Sequence, residues 1–173
     1  MFTVAEVMNT ELFTLTEDDS VQDARALMSE HHIRHIPIVG DNKHLIGVVS
    51  QRDVLAAADS NLVVSPEDAE AQEAFVSVSS IMSVSINTIK SSSSLRGAAL
   101  YLQQEKIGCL PVVEDDKLIG IITDSDFVSV AINLMEQMEM KEPEDLFEDD
   151  LDSGDEDLEE AIERLPLSKI VGR

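Results

Sequence analysis

The chain has 173 residues, a formal net charge of −23, 43% apolar but only 3% aromatic residues, and a single cysteine. One cysteine forms neither an internal disulfide nor a cysteine-based zinc cage, and no apolar run approaches the roughly 18 to 20 residues of a spanning helix. We therefore expect a soluble, cytoplasmic protein with an aliphatic core and no membrane association. The negative charge repels nucleic acid backbones, so DNA and RNA polymers are not expected partners.

Two stretches of the chain predict the same order of elements: an apolar turn, a brief strand, a helix, two strands and a helix start. In the first stretch these lie at Val4 to Met8, Phe13 to Leu15, Val21 to His31, His35 to Val39, Leu45 to Ser50 and near Asp53. In the second they lie at Val78 to Met82, Ile86 to Ile89, Leu95 to Glu105, Leu110 to Val113, Leu118 to Thr123 and near Asp126. Apolar residues at helical spacing and β-branched runs around polar turns support these assignments. The prediction is an α+β fold with β-α-β-β-α twice.

The two stretches also align residue by residue. An offset of 74 places Ile36 to Val39 on Leu110 to Val113, and an offset of 73 places Gly47 to Asp53 on Gly120 to Asp126. The offset changes in the turn between the two strands, where a length change does not flip a strand. A period this long indicates two copies of a small domain, and copies of about 60 residues, each marginal alone, are expected to pack together.

We divide the chain into a first repeat at 1–58, a linker insertion at 59–77, a second repeat at 78–140 and an acidic C-terminal extension at 141–173. The linker contains a helix start at Ser65. Between Glu136 and Glu163 there are fifteen acidic residues and one basic residue. Ser153 begins a further predicted helix with an apolar stripe, which docks on the core, on a partner chain or nowhere.

Each repeat contains a motif of Gly, two β-branched residues, a hydroxyl residue, two variable residues and Asp. Ser50 with Asp53, and Thr123 with Asp126, fit a helix capping box that needs no ligand. The capping box explains neither the Gly nor the Pro in the preceding strand, which cannot donate a ladder hydrogen bond. Free backbone groups beside a Gly-containing strand and a helix start suit a flat ligand with a phosphate and a ribose. Capping alone and ligand binding both remain open on these residues.

Further residues carry a resemblance to a known family. The openings Val7-Met8-Asn9-Thr10 and Ile81-Met82-Ser83-Val84, the proline strands and the repeated motif resemble the CBS domain, and two in tandem resemble the CBS pair, or Bateman module. The resemblance covers Val4 to Met135. It implies a pseudo-twofold pair that binds an adenosine-containing ligand, such as AMP, ADP, ATP or S-adenosylmethionine, in clefts between the repeats. It also implies a homodimer and a regulated protein whose identity is unknown.

The resemblance assigns two ligand sites, in the clefts between the two repeats. In both, the hydroxyl residue of the motif meets the first phosphate, the Asp holds the ribose, and the backbone around Ile36 or Leu110 faces adenine. The first site consists of Thr10, Leu12, His35, Ile36, Pro37, Ser50, Arg52 and Asp53. The second consists of Ser83, Ser85, Cys109, Leu110, Pro111, Thr123 and Asp126.

The two motifs differ between the hydroxyl residue and the Asp, with Gln51-Arg52 in the first and Asp124-Ser125 in the second. A guanidinium attracts a phosphate, whereas a carboxylate repels it. We predict that the first site prefers phosphate-bearing ligands. The second is predicted to bind polyphosphates weakly, or to take a neutral or cationic adenosyl compound. If both side chains point to solvent, the difference has no effect.

No part of the sequence resembles a nucleophile with its base, a Walker loop or a dinucleotide fingerprint, so no catalytic residue, cofactor or enzyme activity is expected. His31, His32 and His35 lack an acidic or cysteine partner for a metal site. Asp149 to Glu160 resembles a calcium loop, but Leu151 occupies a ligand position. The alternative function is an interaction module with empty nucleotide sites, whose acidic tail binds a basic partner. A third is a tail that responds to Ca²⁺ or Mg²⁺.

Overall fold

The structure is a computed structural model that describes residues 2–59 and 76–139. The helix predicted at Ser65, the acidic extension and the calcium-like loop lie outside the described residues. The chain divides into two compact units, and both repeats up to residue 131 belong to the first. Among the described residues, no helix combines the length and apolar character needed to cross a membrane.

The described residues form the two predicted repeats of helix and strand. The first repeat contains a 3-10 turn at Val4–Glu6, helix α1 at Val21–His31, strands β1 at His35–Val39 and β2 at Leu45–Ser50, and helix α2 at Gln51–Asp59. The second contains a 3-10 turn at Val78–Ser80, helix α3 at Leu95–Glu105, strands β3 at Cys109–Glu114 and β4 at Lys117–Thr123, and helix α4 at Asp124–Glu139. The α+β fold with two repeats is confirmed.

Equivalent local signals begin and end the central helix of each repeat. The Ser20 hydroxyl oxygen accepts from the Asp23 N–H at 3.1 Å, and the Asp23 carboxylate accepts from the Ser20 N–H at 2.9 Å. The Ser94 hydroxyl oxygen accepts from the Gly97 N–H at 3.0 Å and caps α3, without a carboxylate that returns the bond. After the last turn, His32 and Lys106 have left-handed φ values of 54° and 55°. Short-range capping therefore sets the length of both helices.

The brief strands predicted before each central helix are wrong. Leu15 and Ile89 each form only one parallel bridge, to Ile38 and Val112. Leu15 donates to the Pro37 carbonyl at 3.2 Å and accepts from the Val39 N–H at 2.8 Å. Extending that ladder toward Phe13 requires an N–H from Pro37, which proline lacks. Pro37 therefore limits the pairing of the segment before α1 with β1 to a single bridge.

The two hairpins share their register and differ in the turn. Strand β1 pairs antiparallel with β2 from His35 opposite Ser50, and β3 pairs with β4 from Cys109 opposite Thr123. Both hairpins are irregular at the same step, between Ile38 and Val39 in one and between Val112 and Val113 in the other. The extra residue of the first repeat lies in the turn between β1 and β2, which leaves both strand registers intact.

The opening segments of the repeats are exchanged. Asn9 of the first repeat exchanges two backbone hydrogen bonds with Ile121 in β4, at 2.9 and 3.0 Å. Ser83 of the second repeat exchanges two with Val48 in β2, also at 2.9 and 3.0 Å. Each opening segment thus extends the hairpin of the other repeat. The two repeats complete each other's sheets and are not independent domains.

The exchanged opening segments also contribute to the apolar cores, each to the core of the other repeat. Val78 of the second repeat packs into the core of the first, which is formed by Val21, Ala24, Met28, Ile36, Ile38, Val49 and Val54. Val4 of the first repeat packs into the core of the second, which is formed by Leu95, Ala98, Leu102, Leu110, Val112 and Ile122. Both valines are fully buried, and burial of a valine side chain contributes about 1.5 kcal/mol or more. A third cluster of Val48, Cys109 and Ile121 joins the two repeats.

The sequence analysis linked the glycine of the repeated motif to a bound ligand, but in the structure this glycine makes a packing contact. A Cβ built on Gly47 would lie 2.5 Å from the Met82 sulfur, and one built on Gly120 would lie 2.7 Å from the Met8 sulfur. Each methionine belongs to the opening segment of the other repeat. Glycine is required because the exchanged segment approaches the strand too closely for any side chain.

Candidate functional site

A cavity of about 650 Å³ lies between the two repeats and is called here the inter-repeat cavity. Its first-repeat wall includes His35 at the start of β1, Val48 and Ser50 in β2, and Arg52 and Asp53 in the first turn of α2. Its second-repeat wall includes the exchanged segment with Ser83, Ser85 and Ile86, together with Cys109 and Pro111 of β3. The volume lies within the range of small-molecule sites in proteins.

The cavity groups the candidate site residues differently from the sequence prediction. It brings together His35, Ser50, Arg52 and Asp53 of the first predicted site with Ser83, Ser85, Cys109 and Pro111 of the second. Thr10, Leu12, Ile36, Pro37, Leu110, Thr123 and Asp126 do not line it. The reason is the exchange of opening segments, because Ser83 pairs with β2 and not with its own hairpin. The cavity therefore combines residues of both predicted sites, and the assignment of residues to two sites stays a prediction.

Ile36 and Leu110 cannot offer their side chains to a ligand. Both side chains are fully buried, one in each repeat core. Alternation along a strand sends their neighbours Pro37 and Pro111 to the opposite face. Only the backbone of these positions is available, as the resemblance implied.

Capping of α2 by Asp53 uses one carboxylate oxygen. Asp53 Oδ2 accepts from the Ser50 N–H at 2.8 Å and from the Ser50 hydroxyl at 2.6 Å. Asp126 Oδ2 accepts from the Thr123 N–H at 2.7 Å and the Thr123 hydroxyl at 2.8 Å. Within the described part of the chain, the hydrogen bonds of both carboxylates use Oδ2 and leave Oδ1 as an open acceptor. Capping and ligand binding therefore do not compete for the same atom.

Charged residues from both repeats line the inter-repeat cavity. Arg34, Arg52 and Lys106 bring positive charge, and Asp53 and Asp124 bring negative charge. The sequence prediction separated Arg52 and Asp124 into different sites, but both line this one cavity. The starts of α2 and α4 are tied to the strand ends by equivalent bonds, from Gln51 N–H to the Arg34 carbonyl and from Asp124 N–H to the Gly108 carbonyl. The second of these bonds lies within the second repeat, and Asp124 reaches the first repeat as part of the cavity wall.

His35 and Cys109 occupy equivalent positions at the start of β1 and β3 and are both uncharged near neutral pH. Burial lowers the pKa of His35, partly offset by the negative charge of Asp124. Burial raises the pKa of Cys109 to about 12, and Asp124 adds to the effect. A Cβ on Gly108 would lie 2.7 Å from His35 Cε1, so the glycine makes room for the imidazole ring. Beside Val48 and Ile86, these groups suit an uncharged flat ring.

Sequence reasoning missed several contributors to this site, among them Arg34, Lys106 and Gly108. Arg34 and Lys106 follow helices α1 and α3, where a cation is explained by the helix dipole or by solvation. The equivalence between Arg34 and Gly108 under the offset of 74 was the available signal, because a cation and a glycine at matched positions indicate different surroundings.

The histidines do not form a metal site. His31 stacks on Phe13 with ring centroids 3.7 Å apart, and His32 is the left-handed residue that ends α1. Within residues 2–59 and 76–139, no group of three His, Cys, Asp or Glu side chains has the arrangement of a metal site.

The model of the CBS domain family matches residues 4–60 and 78–133. A CBS domain-containing protein of Dictyostelium discoideum is 31% identical over 135 residues, which cover 77% of this chain and 93% of the relative. Inosine-5'-monophosphate dehydrogenase of Staphylococcus haemolyticus is 33% identical over 123 residues, which cover 70% of this chain but 22% of the enzyme. The likeness to that enzyme is confined to a small part of it.

Solved structures show the same likeness. A protein described as acetoin utilization protein AcuB of Vibrio cholerae is 41% identical with a TM-score of 0.68, over 83% of this chain and 99% of that one. CBSX2, solved in complex with AMP, is 33% identical with a TM-score of 0.65, over 78% of this chain and 99% of that one. The CBS domain pair of MJ0100, solved with 5'-methylthioadenosine and S-adenosylmethionine, is 21% identical with a TM-score of 0.67, and that likeness concerns the fold alone.

Proposed function

Because the chain belongs to the CBS domain family, we propose that it is a regulatory module which binds an adenosine-containing ligand in the inter-repeat cavity and signals to another protein. The observation that carries the proposal is the pair Ser50 and Asp53. Their reciprocal capping bonds hold both side chains in the cavity wall, yet Asp53 Oδ1 keeps its capacity to accept. The AMP complex of the related CBSX2 supports the choice of ligand class.

The ligand's three parts match three regions of the cavity. The ribose hydroxyls donate to Asp53 Oδ1, and the first phosphate lies near Ser50 and the guanidinium of Arg52. Adenine lies between the apolar side chains of Val48 and Ile86, which exclude water from its faces. The uncharged Cys109 and His35 then border the ring without the cost of burying a charge.

The repeat equivalence predicts a twin of this cavity, built from the matching residues, with the opposite charge balance. The repeat equivalence replaces Arg52, Lys106 and Ser85 of the inter-repeat cavity by Ser125, His32 and Glu11. Thr123 and Asp126 take the places of Ser50 and Asp53 there, with Thr10 and Leu12 in the exchanged segment. The twin therefore gains a carboxylate and loses two permanent cations, which disfavours phosphates. It is assigned to neutral or cationic adenosyl compounds.

Signalling to another protein requires a contact surface outside the ligand site. Helices α2 and α4, which follow the two motifs, present exposed apolar residues that suit such a surface. Leu55 of α2 and Val128 of α4 are equivalent positions and are 54% and 59% exposed. Matched exposed apolar residues on both repeats suit a homodimer across these helices, in which each protomer contributes both of its repeats, residues 1–58 and 78–140. The acidic extension at 141–173 supports the alternative function, binding of a basic partner with empty nucleotide sites.

The proposal is tested by thermal shift with AMP, ATP and S-adenosylmethionine on the wild type, Asp53→Asn and Asp126→Asn. The asparagine variants keep an oxygen for the cap and lose the carboxylate that accepts from ribose. A ligand at 100 times its dissociation constant stabilises the protein by about 2.7 kcal/mol. We expect the nucleotide shift to be lost in Asp53→Asn and retained in Asp126→Asn. Absence of a shift with all three ligands in the wild type would favour the interaction module.

A further inference from the structure

A second cavity, of about 510 Å³, adjoins the inter-repeat cavity on the first repeat and is called here the helical cavity. It lies between α1 and α2, with apolar Met28, Ile33 and Val54 and with polar Arg25, Ser29 and His32. Arg34, Gln51 and Leu55 line both cavities. The two cavities therefore share a wall and are not separate sites.

The shared wall is held by backbone hydrogen bonding. The N–H of Gln51, the first residue of α2, donates to the carbonyl of Arg34, the residue before β1, at 2.8 Å. This bond fixes the two main chains, while the exposed side chains of Arg34 and Gln51 remain able to turn to either side. Arg34 and Arg52 both line the inter-repeat cavity, and Arg34 also lines the helical cavity.

Positive charge is concentrated along this path. In residues 2–59 and 76–139 there are eight Lys and Arg residues against eighteen Asp and Glu residues. Four of the eight line the two cavities, namely Arg25, Arg34, Arg52 and Lys106. Among the described residues, the lining of the helical cavity contains no acidic residue. In a chain this acidic, such clustering points to an anionic occupant.

Helix dipoles account for some of these cations but not for Arg52. Cations after the C-terminal end of a helix are favourable, which explains His32 after α1 and Lys106 after α3. Arg52 lies in the first turn of α2, where the dipole disfavours a cation. An anion bound at the start of α2 would attract Arg52 and so offset the unfavourable interaction between Arg52 and the helix dipole.

We propose that the ligand is a nucleoside di- or triphosphate whose terminal phosphates pass Arg34 and enter the helical cavity toward His32 and Arg25. This inference rests on the proposed function, because the adenosine end lies in the inter-repeat cavity. A monophosphate ends at Ser50 and Arg52 and leaves the helical cavity without an anion. The chain then discriminates by the length of the phosphate chain, and affinity rises from AMP to ADP to ATP.

Calorimetric titration of AMP, ADP and ATP into the full chain tests the inference with two matched variants. Ser29→Glu places a carboxylate in the helical cavity, at an exposed position of α1 whose side chain caps nothing. Gln22→Glu adds the same charge to the same helix outside both cavities. We expect ATP to bind about tenfold tighter than AMP, Ser29→Glu to remove that difference and Gln22→Glu to leave it unchanged.

Each outcome decides one of the two proposals. Equal affinities for AMP and ATP in the wild type, or equal weakening of both by Ser29→Glu, would overturn the phosphate path and leave the adenosine site intact. Binding of no nucleotide by the wild type overturns the proposed function, and the phosphate path with it. The melting temperature of each variant without ligand checks that a loss of binding is not a loss of fold.

Discussion

Met82 of the second repeat lies against Gly47 of the first, so that a Cβ on Gly47 would be 2.5 Å from the methionine sulfur and 3.0 Å from its Cγ. Met8 and Gly120 repeat the relationship on the other side. The glycine of the repeated motif is thus a contact point between the repeats. A motif that suggested a ligand site also holds the pair together.

The Gly47 contact predicts that Gly47→Ala destabilises the protein by about 1 to 3 kcal/mol, because the added methyl group overpacks a filled position. Chemical denaturation of the unliganded protein measures the change. Met82→Ala combined with Gly47→Ala should recover part of the loss, since the smaller side chain makes room. Strict additivity of the two substitutions would contradict the contact.

Arg52 and Asp124 line the same cavity, so substitutions of the two should change nucleotide affinity in opposite directions. Arg52→Ala removes a charge-assisted hydrogen bond to the phosphate and is expected to weaken ATP binding about tenfold. Asp124→Asn removes a repulsive charge and is expected to strengthen it. Titration of ATP into both variants provides the measurement. Changes of equal sign and size would show that the two side chains do not face the ligand.

His35 predicts a loss of stability on mild acidification. Burial lowers its pKa below the usual value of 6.5, so the unfolded chain binds a proton more readily than the folded one. Its contribution is therefore fully present above pH 6.5 and is lost as pH falls toward the folded pKa. Melting temperatures between pH 7.5 and 5.5 should fall less in His35→Gln than in the wild type. An identical fall would assign the pH dependence to other groups.

Cys109 should resist thiol reagents while the protein is folded. Its pKa of about 12 leaves roughly one thiolate in ten thousand at pH 8, against a substantial fraction for an unfolded cysteine. Reaction with a chromogenic disulfide is expected to be on the order of a thousandfold slower in the native chain than in denaturant. Ligand in the inter-repeat cavity should slow it further. Rapid native labelling would place the thiol outside the buried cluster.

Local signals predicted most of the elements. The helix at Val21–His31 and the strands at His35–Val39 and Leu45–Ser50 agree in their bounds, because capping and strand periodicity act over a few residues. Helices α2 and α4 begin at Gln51 and Asp124, two residues before the predicted starts, since the capping box places the Asp inside the first turn. The prediction of a short strand at Phe13 was wrong because proline in strand β1 lacks the N–H that this strand would need for pairing.

By itself, the sequence determined the duplication, the fold of each repeat and the capping pairs at Ser50 and Thr123, since these depend on neighbours along the chain. The tertiary structure decided which residues share a cavity. Two opening segments crossed to the opposite hairpin, and so Ser83 came to line one cavity with Ser50, while Asp124 and Arg52 line that same cavity from different repeats. Periodicity contains no record of such an exchange, because a segment has the same local pattern whichever hairpin it joins.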